Sequence, residues 1–173
     1  PGFQGYLSSR FFTQEYIWRD KMIMSYDNQN IESIVMNYPH SNIAESFRIK
    51  QDDLGINVFE KDSEKIALTN QYKVKKYLAS FRKLPAECYV SGNLNTDSLF
   101  NTKPLFEIVV SPINGETTSM RVYPKRNQNT VDIDDNMRMP DPERLYAYVN
   151  EKDWMVIQLN TFKKIMINLS DLK

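Results

Sequence analysis

The chain has 173 residues, enough for one domain or two small units with a real core. Hydrophobic residues make up 41% and charged residues 25%, with Lys plus Arg equal to Asp plus Glu at 22 each. That neutral balance offers no chain-wide attraction for nucleic acid or an anionic membrane, and the single cysteine, Cys88, excludes an intrachain disulfide.

Residues 1–21 are aromatic-rich without a clean period, and Thr13 is positioned to cap a short helix running through Trp18. MIMSY (22–26) is a short apolar run, and Asp27-Asn28-Gln29-Asn30 is a turn cluster. From there the period is two. Ile34, Met36 and Tyr38 share one face, and Phe47 and Ile49 another; INVFEK (56–61) continues the pattern after Gly55. This predicts an antiparallel meander with one wetter face.

The period then becomes 3.6. Asn70 or Thr69 caps a helix whose stripe is Val74, Tyr77, Leu78, Phe81 and Leu84, and Pro85 ends it. Lys73, Lys75 and Lys76 fall on its solvated side. SGNLNTDSLFNTK (91–103) is a polar connection and the natural boundary between two units. LFEIVVS (105–111) and TSMRVYPK (118–125) form a hairpin around Asn114-Gly115, the strongest short hairpin signal. A long polar loop follows. A second pair, from Leu145 and from Trp154, flanks the turn at Asn150–Asp153. Phe162, Ile165, Met166 and Leu169 then predict a closing helix capped by Asn160 or Thr161.

No apolar run approaches the ~18 residues of a membrane span, and no signal peptide is present. The chain opens on Pro1-Gly2-Phe3 and reads as a piece of something longer.

Four places could carry chemistry. In DIDDNMRMPDPE (132–143), Asp132, Asp134, Asn136 and Glu143 have the oxygen-ligand spacing of a calcium loop. Met137 stands where such a loop needs glycine, and Pro140 and Pro142 stand where its exit helix should begin. An acidic loop ending in a turn at Asp141-Pro142-Glu143 is therefore the favoured reading. Trp18 and Arg19 could stack on a sugar or a partner's side chain. The favoured alternative is that Trp18 fills a seam while Arg19 and Asp20 make local hydrogen bonds. His40 is the only histidine, which leaves no common zinc site and no supported catalytic triad; glycine-rich phosphate loops are absent as well. Cys88 reads as a small buried hydrophobe. Tyr123, Tyr146 and Tyr148 fall on the alternate face of their strands, as a binding platform or as a surface covered by a further layer of the parent protein.

Residues 1–39 resemble the middle of a domain family of unknown function, number four-three-four-zero. The features are Pro1-Gly2-Phe3, Gly5-Tyr6-Leu7, Arg10-Phe11-Phe12 and Trp18-Arg19-Asp20, then an apolar run and the strand containing Ile31 and Ile34. Arg144 to Met166 is similar to the C-terminal stretch of the same family, and the strand-then-helix order between them fits. Members are widespread in Gram-negative envelope proteins, with one N-terminal membrane helix followed by soluble strand-and-helix repeats. Some accompany transport systems. The resemblance implies a periplasmic location, an anchor upstream of Pro1, and no catalytic residues to carry over.

The resulting expectation is an α+β fold of two similar units, each an antiparallel meander followed by a helix on one sheet face. Residues 1–26 finish an upstream unit, 27–92 form the first unit and 93–173 the second. The expected function is non-catalytic: scaffolding or binding another envelope protein or the upstream part of the same chain, with no cofactor, no nucleic acid, and an available sheet edge for strand addition. The alternative is a carbohydrate-active or hydrolytic domain using paired carboxylates near Trp18 or Tyr146.

Overall fold

The computed structural model describes residues 18–40, 43–61, 63, 67–90, 94, 96–126 and 140–173. Strands β1 (Met22–Met24), β2 (Ile31–Asn37), β3 (Phe47–Asp52) and β4 (Gly55–Glu60) come first. Helix α1 (Gln71–Ala79) and the short strands β5 (Leu84–Pro85) and β6 (Cys88–Tyr89) follow. Helix α2 (Thr96–Phe100) leads to β7 (Phe106–Pro112), β8 (Thr118–Arg126), β9 (Pro140–Val149) and β10 (Asp153–Gln158). Two single-turn helices close the chain, α3 (Leu159–Phe162) and α4 (Leu169–Leu172).

The described residues form one eight-stranded antiparallel sheet in the order β4-β3-β2-β7-β8-β9-β10-β6, and β1 pairs with β5 apart from it. Alternation drives the sheet. Ile34 and Met36 in β2, Phe47 and Ile49 in β3, and Phe106, Ile108 and Val110 in β7 all bury on one side. The strands before and after residue 93 meet at β2 and β7, where Val35 lies opposite Val109 and Met36 opposite Ile108. Asn30 fixes that junction. Its carboxamide accepts from the Asn114 N–H at 3.2 Å and donates to the Asn114 carbonyl at 3.1 Å, which ties β2 to the β7–β8 turn. Gly115 takes φ +115° in this turn, a conformation that glycine enters without steric cost.

The fold is mostly antiparallel β with few helices, and α1, α3 and α4 gather on one face. The Asn70 side chain accepts from the N–H groups of Tyr72 and Lys73 and starts α1, as its sequence position predicts. Val74, Tyr77 and Leu78 bury, while Lys73, Lys75 and Lys76 face water. The Tyr77 ring meets Phe47 of the sheet at 5.8 Å and Phe81 at 5.1 Å, both edge-on. The helix stops at Ala79, earlier than the stripe suggests. A 3₁₀ turn (Ser80–Arg82) follows, and Leu84, held extended by Pro85, pairs with Met24.

The closing helix predicted over Phe162–Leu169 is not continuous. Phe162, Ile165 and Leu169 are buried as the pattern requires, but the Tyr77 hydroxyl donates to the Ile165 carbonyl at 3.2 Å and the Tyr38 hydroxyl to Ile167 at 2.7 Å. Those carbonyls are drawn away from helical partners. A capping box between Asn168 and Asp171 then restarts the chain as α4. Gln158, not Asn160 or Thr161, is the residue before α3, and it makes no side-chain cap.

One further expectation needs correcting. Strand β9 begins at Pro140 rather than Leu145, so Asp141-Pro142-Glu143 lies within the strand and not in a loop's last turn. Part of the β4 edge is engaged by the chain itself. The Ala67 N–H donates to Val58 O at 2.7 Å and Gln71 Nε2 to Ile56 O at 3.1 Å along β4. Glu87 and Val90 N–H donate to Val156 and Trp154 carbonyls, extending the short β6 along β10. The two engaged β4 carbonyls are not offered to an incoming strand, whereas the Glu87 and Val90 bonds run inward to β10.

Candidate functional site: the open face of the sheet

The face opposite α1, α3 and α4 carries the alternate residues of each strand. On β8, β9 and β10 these are aromatic. Tyr123 lies opposite Tyr146, and Trp154 opposite Tyr148. Cross-strand neighbours of this kind stand close enough for their rings to touch. Trp154 and Tyr148 stack at 4.8 Å with an interplanar angle of 30°, and Tyr123 tilts against Trp154 at 5.5 Å. Phe100, at the end of α2, closes the group with its ring 5.2 Å from Tyr148 and 5.5 Å from Trp154. The Tyr148 hydroxyl donates to the Glu151 carbonyl at 2.6 Å, fixing the ring from its far end.

A polar row runs from this group across the sheet. Arg121 NH2 reaches Glu151 Oε1 at 2.7 Å and its Nε stands 3.6 Å from Glu107 Oε1. Asn37 Nδ2 donates to Glu107 Oε2 at 2.8 Å, and Lys61 Nζ donates to Asn37 Oδ1 at 2.7 Å. These residues sit on neighbouring strands, with Asn37 opposite Glu107 and Glu107 opposite Arg121. Val35 and Val109 floor a groove of about 500 Å³ beside the row, and Arg48 stands on its wall with its guanidinium 5.0 Å over the Phe59 ring. Each charge in the row has an opposite or neutral partner, so the surface is set in position without carrying a net field.

The remaining sequence candidates fall elsewhere. Trp18 does not fill a seam: it is 69% exposed. Asp20 bonds locally as expected, its carboxylate accepting from the Met22 N–H at 2.9 Å, but Arg19 reaches far along the chain instead. Arg19 pairs with Asp153 at 2.9 Å and covers the Tyr89 ring at 4.2 Å, while the Asp20 carbonyl accepts from the Tyr89 hydroxyl at 2.7 Å. Tyr123 lies on the open face but is only 2% exposed, so Tyr146, Tyr148 and their neighbours are the residues on view. Asp132, Asp134 and Asn136 lie outside the described residues. Glu143 is exposed, and its N–H donates to Asp141 Oδ1 at 3.0 Å. Among the described residues no cluster of His, Cys, Asp or Glu is arranged to hold a metal ion. Cys88 is half-buried on edge strand β6, and burial pushes its thiol up.

The perturbed carboxylates are Glu87, beside β6, and Asp141, at the start of β9. The Arg144 guanidinium donates to both Glu87 oxygens, at 3.1 and 2.9 Å, and holds that carboxyl below its usual range against the opposing effect of burial. Burial pushes Asp141 up, but the Glu143 N–H, Lys125 and the Arg144 N–H outweigh it and the net shift is downward. Both groups are thus held ionised, the opposite of what a general acid needs.

A folded-state value below the unfolded one adds stability above about pH 4.3, the ordinary glutamate value, and that stability is lost as pH falls through the folded value. Glu87→Gln should therefore melt below the parent protein at pH 7, with the gap closing in acid. Parallel thermal melts across pH check this; a gap that widens in acid contradicts the Arg144 pairing.

No family model, curated protein or solved structure matches the chain. Trp154, Phe100 and the Lys61–Glu151 row are the functional candidates that sequence reasoning missed. The signal for Trp154 was present in the phase of its strand: the turn at Asn150–Lys152 returns β10 with Trp154 on the same face as Tyr148. Nothing in the sequence marks Phe100, which belongs to a connection rather than to a periodic element.

Proposed function

We propose that this chain is a non-catalytic protein-binding module of a membrane-anchored bacterial envelope protein, and that its open sheet face is the binding surface. The observation that carries the reading is the pairing, on that face, of a stacked Tyr148–Trp154 platform with a hydrogen-bonded row of alternating charge. Aromatic rings of fixed geometry contribute contact area at low entropic cost, and a paired polar rim supplies register. Helices α1, α3 and α4 occupy the other face, so the open face is a broad surface available to a partner.

We read β2–β4 with α1, and β7–β10 with the short turns α3 and α4, as two similar units sharing one sheet. The envelope setting rests on the family resemblance of residues 1–39 and 144–166. On that reading the periplasmic module hangs from a membrane helix outside this sequence, accompanies a transport system, and meets either another envelope protein or an upstream unit of its own chain. No described helix is long and apolar enough to cross a membrane.

A photoactivatable side chain at Val35 or Tyr146, in the full-length protein in Gram-negative cells, tests the reading. The expected result is a discrete cross-linked protein from these positions and none from Lys75 on the outer side of α1. Equal labelling from Lys75, or none from the open face, contradicts it.

A further inference from the structure

We propose that helix α2 is a displaceable strap: its Phe100 ring occupies a seat on Tyr148 and Trp154 that an aromatic side chain of the partner takes in its place. The inference rests on the open-face reading above and adds the ligand chemistry and the control of that face.

The strap is built weakly. It spans five residues, none of them buried. A helix so short does not hold itself in water and depends on tertiary contact. The Asn101 N–H closes on Asp97 O and the Thr102 N–H on Leu99 O, both at 3.0 Å, in a single turn open to solvent. Phe100 provides the ring contact with the sheet, yet is itself 46% exposed.

The seat, by contrast, is complete without the strap. Paired strands hold Tyr148 and Trp154 opposite one another; Trp154 leans on the buried Tyr123, and the Tyr148 hydroxyl is anchored to Glu151 O. Withdrawing Phe100 leaves an ordered aromatic platform rather than a collapsed one. The chemistry of the incoming group is read from the present occupant. Phe100 crosses Tyr148 at 78° and tilts against Trp154 at 56°, so the seat takes an aromatic ring standing steeply to Tyr148. A strap that leaves this site only part of the time lowers the apparent affinity for a competing ring by the fraction open.

Two measurements on the isolated protein test the proposal. In hydrogen exchange, the Asn101 and Thr102 amides are expected to exchange at least about a hundredfold faster than the paired amides of β8 and β9, as local opening requires. Exchange at strand-like rates overturns the strap. In a Trp18→Phe background, where Trp154 alone fluoresces, N-acetylphenylalanine amide is titrated against Phe100 and Phe100→Ala proteins. Vacating the seat is expected to lower the half-saturating concentration about tenfold. The same response from both proteins, or none from either, overturns the proposal. Neither readout involves a partner protein, so an open face that cross-links to nothing sinks the binding reading while these two results stand by themselves.

Discussion

Phe81→Ala is expected to lower the unfolding free energy by about 3–5 kcal/mol, the range for emptying a fully packed aromatic site. Phe81 has no exposed surface and sits where α1 gives way to the strand at Leu84. Its ring abuts Tyr77 edge-on, and Tyr77 in turn meets Phe47 and donates to Ile165 O. One ring therefore joins the helix, the first meander and the closing segment. The cavity left by alanine cannot be filled from one side without disturbing the others, because the 3₁₀ turn is pinned by the Tyr26 N–H donating to Phe81 O at 3.0 Å. Urea unfolding measures the loss. Tyr72→Ala on the exposed side of the same helix should stay within about 0.5 kcal/mol of the parent, as surface substitutions do. Equal losses at the two positions would show that α1 does not lie on the sheet as described.

The second large effect is expected at Trp154. Trp154→Ala should cost about 2–3 kcal/mol, less than a fully buried tryptophan because this one retains some exposure. It removes the ring shared by Tyr148, Tyr123 and Phe100, so the loss is not confined to one pair. A double-mutant cycle with Tyr148→Ala should return a coupling of about 0.5–1.5 kcal/mol, as aromatic pairs do beyond their area. The same substitution should also abolish cross-linking from Val35 while the protein remains folded. Additive losses with no coupling would mean that the two rings stack without mutual support.

The contrast between these sites shows what the sequence could disclose. Alternation in β3 and β7 is unbroken, and in β2 it holds from Ile34 after an irregularity between Ile31 and Ser33, because one face is dry and the other wet; the buried set was legible there residue by residue. The 3.6 period of α1 was legible for the same reason, together with its Asn70 cap. The breaks were hidden. Nothing local says that Leu84 leaves the helical stripe to pair with Met24, since that pairing spans residues far apart in the chain. Nor does the apolar spacing of Phe162, Ile165 and Leu169 reveal that two distant tyrosines take the intervening carbonyls. The seam between the halves was also out of reach: β2 and β7 are both half-dry strands, and register between such strands is set by the partner. On the open face the tyrosines were placed correctly, but the ring stacked on Tyr148 comes from across a turn, and Phe100 comes from a segment with no period at all. Trp18 shows the reverse failure, a large aromatic assigned to the interior by its type and found exposed.

The β2–β7 junction joins the two halves into one sheet and gives the open face its breadth, so it is the feature to test most directly. In a Cys88→Ser background, Val35→Cys with Val109→Cys places two thiols directly opposite on the open face. Mild oxidation is predicted to consume both thiols within one chain, whereas Val35→Cys with Val110→Cys, whose side chains point to opposite faces, should keep both free. Persistent thiols in the first pair, or oxidation of the second, would contradict the register and with it the single continuous face.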